Sequence, residues 1–192
     1  MMKDEESDLI QRIAARVREL RAARGFSLDG LAGKSGVSRS MISLIERGES
    51  SPTAAVLERL ATGLGVTLAR LFDASGKGDE AQSSGGPLSR REQQPSWRDP
   101  ASGYVRRNVS PSSVGGSLQI VEVHFPPGGC VAFENGGHGG SVQQQVWVLE
   151  GAIDVTWGEE QFALREGDCL AMRLDRPTMF RNPGKTPVRY AV

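Results

Sequence analysis

The chain has 192 residues, 38% hydrophobic and 24% charged, with a formal net charge of zero, a size that suits one medium domain or two small ones. No apolar run approaches the ~18 residues a membrane span needs, and the acidic start MMKDEESD lacks the basic-then-apolar order of a secretory signal. Two cysteines, Cys130 and Cys169, do not make a disulfide framework, so free thiols in a cytoplasmic protein are expected.

Leu9 to Asp73 carries ten basic against six acidic residues, a net of +4, while Ala74 onward carries twelve against thirteen. A mildly basic block at one end is compatible with nucleic acid without proving it. Within that block the apolar period is helical. Ile10, Ile13, Val17 and Leu20 form one stripe, the mark of an amphipathic helix, and Gly25 stops it. Ser27 caps a short second helix that buries Leu28, Leu31 and Ala32. Gly36 breaks the chain and Ser38 caps a third helix, with Val37 and Ile42 placed as a hydrophobic staple around the cap. Ser51-Pro52-Thr53 opens a fourth helix on Val56, Leu57, Leu60 and Leu64, and Thr67 a short fifth with Leu68, Leu71 and Phe72.

From residue 74 to residue 99 the period vanishes into Gly, Ser, Gln, Pro and charge, which reads as a flexible linker. Trp97 is its one large apolar group and is expected to pack onto the C-terminal domain. After Tyr104 the period changes to two: SLQIVEVHF, VQQQVWVL, AIDVTW, EQFAL, DCLAMRL and PVRYAV are short strands separated by Gly/Pro turns. Such a run without helices predicts a sandwich or small barrel. The expected organisation is therefore an all-α five-helix domain over 9–73, a linker over 74–99 and an all-β domain over 100–192.

Two short helices joined by KSGVS are the unit of a helix-turn-helix. In the third helix Ile42 and Ile45 face inward, so Arg39, Ser40, Ser43, Leu44 and Arg47 lie on or beside the opposite face. That small, hydroxylated, cationic surface suits a major groove: Arg39 matches a bidentate guanine contact and Leu44 a thymine methyl. Ser27, Ser38 and the helix N-termini suit phosphates. The stretch GVSRSMISLIERGESSPTAAVLERLATGLGV resembles the Xre-type helix-turn-helix of phage repressors and bacterial regulators, over residues 12–72. The resemblance implies that Arg39, Ser40 and Leu44 meet bases and that Arg21 pairs with Glu46 to tie the first helix to the third. Leu28 departs from it, since many members carry a phosphate-contacting Gln there. Gly30 and Gly33 also depart, weakening the second helix by up to ~1 kcal/mol each relative to Ala. A single such domain makes few base contacts, so a homodimer on two half-sites is expected.

Residues 104–192 resemble a cupin, a double-stranded β-helix barrel, through PPGG at 126–129, VLEG at 148–151, LREGDCLAM at 164–172 and FRNPG at 180–184. Metal-binding cupins supply His-x-His and a carboxylate from one motif and a further His from a second. Counted from Gly151 and from Gly167 to Asn182, those positions fall on His138, Gly140, Gln144 and Thr178. One good donor of four survives, short of the three or four N, O or S ligands a first-row metal needs. Cys130 and Cys169 are open as substitutes, although nothing in their spacing brings them to His138; both are otherwise expected to be buried and inert. No cofactor is expected. Alternation from Gln144 sets Val146 and Val148 on one face, with Thr178 and Phe180 facing the same interior. With His138 these six make a candidate effector pocket, apolar with a few neutral hydrogen-bond formers. Trp147 points outward, as a packing or dimer contact.

The expectation is a sequence-specific DNA-binding transcriptional regulator, not an enzyme: a DNA operator at one end, a small-molecule effector and a homodimer contact at the other, and no membrane partner. Two alternatives stay open, a cupin isomerase, lyase or oxygenase with a DNA-binding attachment and a barrel that only dimerises the heads.

Overall fold

The computed structural model describes residues 2–72, 86–111, 118–134 and 142–192, with the backbone alone over residues 2–7. Five helices come first: α1 (Met2–Ala23), α2 (Leu28–Ser35), α3 (Arg39–Glu46), α4 (Ala54–Gly63) and α5 (Leu68–Leu71). Three of the starts have a visible local cause. Ser27 Oγ accepts from the Gly30 amide at 3.0 Å, Ser38 Oγ from Met41 at 3.3 Å, and Thr53 Oγ1 from Val56 at 3.4 Å, each satisfying a donor that the first helical turn leaves orphaned. Gly36 closes α2 at φ +66°, a left-handed conformation that a Cβ would strain, and this sets the turn into α3.

The apolar stripes meet in one core. Ile13, Val17 and Leu20 of α1 are buried as expected, but Leu9 rather than Ile10 begins the stripe. Leu31, Ile42, Ile45, Leu57, Leu60, Leu64 and Leu71 complete it, nearly all with no exposed surface, each contributing about 1.5–3 kcal/mol over an exposed position. Glu46 is also buried, and Arg21 meets its two carboxylate oxygens at 2.6 and 2.7 Å while donating to the Phe26 carbonyl at 2.9 Å. Arg18 donates to the Glu46 carbonyl. The ion pair implied by the family resemblance is present, and it fastens α1 to the end of α3.

Among the described residues the β half holds ten strands, all paired antiparallel: β1 (Ser96–Arg98), β2 (Val105–Asn108), β3 (Val121–Phe125), β4 (Cys130–Phe133), β5 (Gln143–Glu150), β6 (Ala152–Trp157), β7 (Glu160–Arg165), β8 (Cys169–Arg173), β9 (Thr178–Arg181) and β10 (Val188–Ala191). They form a six-stranded sheet, β1-β2-β3-β10-β5-β8, facing a four-stranded sheet, β4-β9-β6-β7. Inward residues alternate along each strand: Val146 and Val148, Ile153 and Val155, Val188 and Tyr190 are buried. Gly151, at φ +84°, turns β5 into β6 where a Cβ would press on Val188 Cγ2 at 3.2 Å. Asn182, 1% exposed, donates to the carbonyls of Phe125, Pro126 and Thr186 and accepts from the Gly184 amide. One side chain therefore ties the PPGG turn to the FRNPG turn.

The expected linker is shorter than its composition suggests. A 3-10 turn covers Arg91–Gln93, and β1 pairs with β2 in register Ser96↔Arg107 to Arg98↔Val105, so residues 91–98 belong to the folded barrel. Three residues are too few to show a period, which is why the sequence conceals this strand. Residues 74–85 lie outside the described residues. Trp97 packs onto the barrel as expected but also onto the helical half: its ring centroid is 5.9 Å from Tyr104 and 5.6 Å from Phe72. Buried Asp99 crosses the same seam, its Oδ1 accepting from the Ala54 amide in the first turn of α4 at 2.9 Å while Oδ2 holds Ser102. Arg59 of α4 lies 3.6 Å from Glu134.

Candidate functional site

On the α3 face the structure separates the residues as the period requires. Ile42, Ile45 and Glu46 are buried, while Ser38, Arg39, Ser40, Met41 and Arg47 are exposed and Ser43 and Leu44 half-buried. The Arg39 side chain is 65% exposed and lies 3.5 Å from Asp29 in the first turn of α2, a contact weak enough at this exposure to yield to a stronger acceptor. Arg47 is more engaged: its guanidinium forks onto Glu49 at 2.8 Å twice and donates to Ser43 Oγ at 2.5 Å. That pairing raises the Arg47 pKa and lowers that of Glu49, in each case chiefly through the hydrogen bonds between them. Ser27 and Ser38 are committed as cap acceptors, which leaves each hydroxyl hydrogen available to donate; Ser38 and Ser40 hydroxyls are 3.2 Å apart. Sequence reasoning missed Met41 on this face. As an apolar residue it reads as core, yet it follows Arg39 and Ser40 at the exposed start of α3, and its Sδ contacts Ser50 Oγ at 3.8 Å.

In the barrel a cavity of about 1130 Å³ opens beside the helical half. Of the six expected pocket residues, Gln144 and Phe180 line it. Val146 and Val148 do not: they have no exposed surface and fill the solid core between the sheets, because that end of β5 is covered by the opposing sheet. Thr178 borders a second cavity of about 530 Å³ between α4, β4 and β9, and its Oγ1 donates to the Arg176 carbonyl at 3.3 Å. His138 lies outside the described residues. Sequence reasoning also missed Tyr104, Arg106, Met172 and Tyr190, which line the larger cavity with Gln144. The alternation of PVRYAV carries the signal for Tyr190, which faces inward with Val188. Gln144 Nε2 donates to Met172 Sδ at 3.3 Å. Thr67, Leu68, Ala69 and Arg70 of the helical half close one side.

Gln144 and Thr178, at two of the four positions where a metal cupin places ligands, are a neutral amide and a hydroxyl already bonded elsewhere. Among the described residues no group of three His, Cys, Asp or Glu side chains converges. The cysteines are exposed rather than buried, Cys130 beginning β4 on its outward face and Cys169 lying opposite Trp147 in the β5–β8 ladder. Alternation alone gave no way to tell which sheet face either thiol takes.

Comparison with known proteins places both halves. A helix-turn-helix profile matches residues 17–71 and a Cupin domain profile matches residues 121–192. The chain is 30% identical over 186 residues to the HTH-type transcriptional regulator SutR of Escherichia coli (strain K12), a match spanning 95% of this chain and 94% of that protein. It belongs to the HTH-type transcriptional regulators. A shorter match, 42% identical over 59 residues, joins 30% of the chain to 39% of the HTH-type transcriptional regulator SlrR of Bacillus subtilis (strain 168). Among solved structures, an HTH_3 family transcriptional regulator from Vibrio cholerae superposes with a TM-score of 0.74 at 26% identity, covering 97% of this chain and 96% of that one. The regulator is thus a DNA-binding protein with a five-helix Xre-type head and a cupin barrel. No helix among its described residues is long and apolar enough to cross a membrane.

Proposed function

We propose that the regulator works in the cytoplasm as a homodimer that reads two operator half-sites through α3 and alters its hold on DNA when a small molecule enters the barrel without help from a metal. Arg39, Ser40 and Leu44 read bases; Ser27, Ser38, Ser43 and Arg47 hold phosphates, Arg47 by exchanging Glu49 for the DNA backbone. The observation that carries the reading is the exposed, hydroxylated face of α3 opposite buried Ile42 and Ile45, beside a barrel whose large cavity reaches the head. An enzymatic role is disfavoured by the donor set: neutral Gln144 and Thr178 stand where a metal-dependent cupin needs imidazole and carboxylate. Gel retardation of the regulator's own genomic fragments at low salt tests the DNA half, and failure to retard any fragment overturns it. A thermal-shift screen of metabolites tests the sensing half. A ligand at a hundred times its dissociation constant stabilises by about 2.7 kcal/mol, and no response across a broad library would leave the barrel a dimerisation module alone.

A further inference from the structure

The first turns of α2 and α3 each turn one charged side chain outward, and the two meet. Asp29 is the second residue of α2 and Arg39 the first of α3; Arg39 Nε lies 3.5 Å from Asp29 Oδ1, with the Asp29 side chain 77% exposed. The neighbouring Leu28 packs against the core, so the start of α2 offers Asp29 and the capping Ser27 as its polar groups. The other carboxylates beside α3 are committed elsewhere: Glu46 is buried against Arg21, and both Glu49 oxygens accept from Arg47. A carboxylate on a face turned toward phosphates opposes binding to any duplex, so Asp29 weakens the head unless it serves the sequence being read. The nearest approach to Asp29 is by Nε, the inner nitrogen of the guanidinium. The terminal edge, Nη1 and Nη2, is the edge that a guanine needs, as two parallel donors aimed at O6 and N7. A long arginine side chain gives up much rotamer freedom to hold that edge in place, and a carboxylate fixing Nε supplies part of that restraint beforehand.

Resting on the reading of α3 as the base-reading helix, we propose that Asp29 is a positioning residue that sets specificity: it steadies Arg39 through Nε while Nη1 and Nη2 take one guanine in each half-site. In the free protein the exposed pair is loose. A phosphate competes for the whole guanidinium and is itself repelled by Asp29, whereas a guanine edge takes only the terminal nitrogens and leaves Nε to the carboxylate. Asp29 thus lowers affinity for duplex at large and raises the advantage of one base. A first-turn carboxylate also complements the dipole of α2, a purely structural role that base preference separates from this one.

The test selects sites by gel retardation and sequencing from a duplex pool with a randomised core, using the full chain and its Asp29→Asn, Asp29→Glu and Arg39→Ala variants. The unaltered chain is expected to prefer guanine at one position of each half-site, and Arg39→Ala to lose that preference. Asp29→Asn is expected to reduce it about three- to tenfold while binding a poly(dA-dT) duplex as tightly as before or more so, since one opposing charge is gone. Asp29→Glu keeps part of the preference, and Asp29→Asn changes no base preference further once Arg39 is alanine. An unchanged guanine preference in Asp29→Asn, or an equal gain on every sequence, makes Asp29 a repelling surface charge and overturns the inference. Equal loss on every sequence together with a lowered Tm makes it a support of α2 and overturns it as well. In all three cases Arg39 still reads its base. Should Arg39→Ala select the same sites as the unaltered chain, the reading of Arg39 falls and this inference with it.

Discussion

Arg39 is the side chain whose removal should be felt most at the DNA. It stands at the first position of α3, 65% exposed, with only a 3.5 Å contact to Asp29 to exchange. Arg39→Ala is expected to weaken operator binding by about 1–3 kcal/mol and to relax preference at one base pair, as read by competition gel shifts on operator variants. His124 leads to a different kind of outcome. Its Nε2 lies 3.2 Å from Glu122 Oε1, a contact that alone favours the imidazolium. Burial nevertheless lowers its pKa, aided by Arg189, Arg107 and Arg91, because Glu122 is already engaged by Arg107 and Arg189. A histidine with a lowered folded pKa binds its proton more readily in the unfolded chain. Its contribution is therefore complete above the unfolded value of about 6.5 and is lost as pH falls from there through the folded value. His124→Gln should shrink the drop in Tm between neutral and mildly acidic buffer, and an unaltered drop would assign that sensitivity to other groups. The local sequence around His124 carries no sign of this, since the three arginines that surround it arrive from other parts of the chain.

Between loops and strands, two buried side chains do the work of whole connections. Asn182 satisfies three carbonyls and one amide across two turns, so Asn182→Ala leaves several buried groups unpaired and should cost about 2–4 kcal/mol in urea denaturation. Asp99 reaches from the barrel's entry to the first turn of α4. Asp99→Ala removes an N-terminal helix acceptor, for about 1–2 kcal/mol, and should speed amide exchange in α4 more than in α1, because α4 alone loses a partner. The helices themselves were readable: their caps, the Gly36 turn and the inward isoleucines are local, periodic signals. Strand β1 was not, for its evidence is a pairing with β2 and the burial of one tryptophan. The exposed thiols escaped for a related reason, since an alternating pattern says which residues share a face and not which face is covered.

For the molecule entire, the proposed homodimer has a definite place to form. Trp147, 52% exposed on the outer face of the six-stranded sheet, sits across from Cys169 and Ala191 in the ladders, a small apolar area suited to a second copy. Trp147→Glu is expected to shift the chain toward monomer in sedimentation and to weaken operator binding more than binding to a single half-site. Equal losses on both would detach Trp147 from assembly. Within one chain, rings run in contact from Phe72 through Trp97, Tyr104, Phe125 and Tyr190 to Phe180, so head and barrel share a packed core rather than a loose tether. Periodicity, caps and motif spacing are relations between neighbours along the chain, and they suffice for the two fold classes and the exposed face of α3. They do not suffice for the solid core at Val146 and Val148, the cavity lining of Tyr104, Tyr190 and Arg106, or the closure of that cavity by α5. Those features arise where strands and helices distant in sequence come to face one another, and no local pattern encodes that meeting.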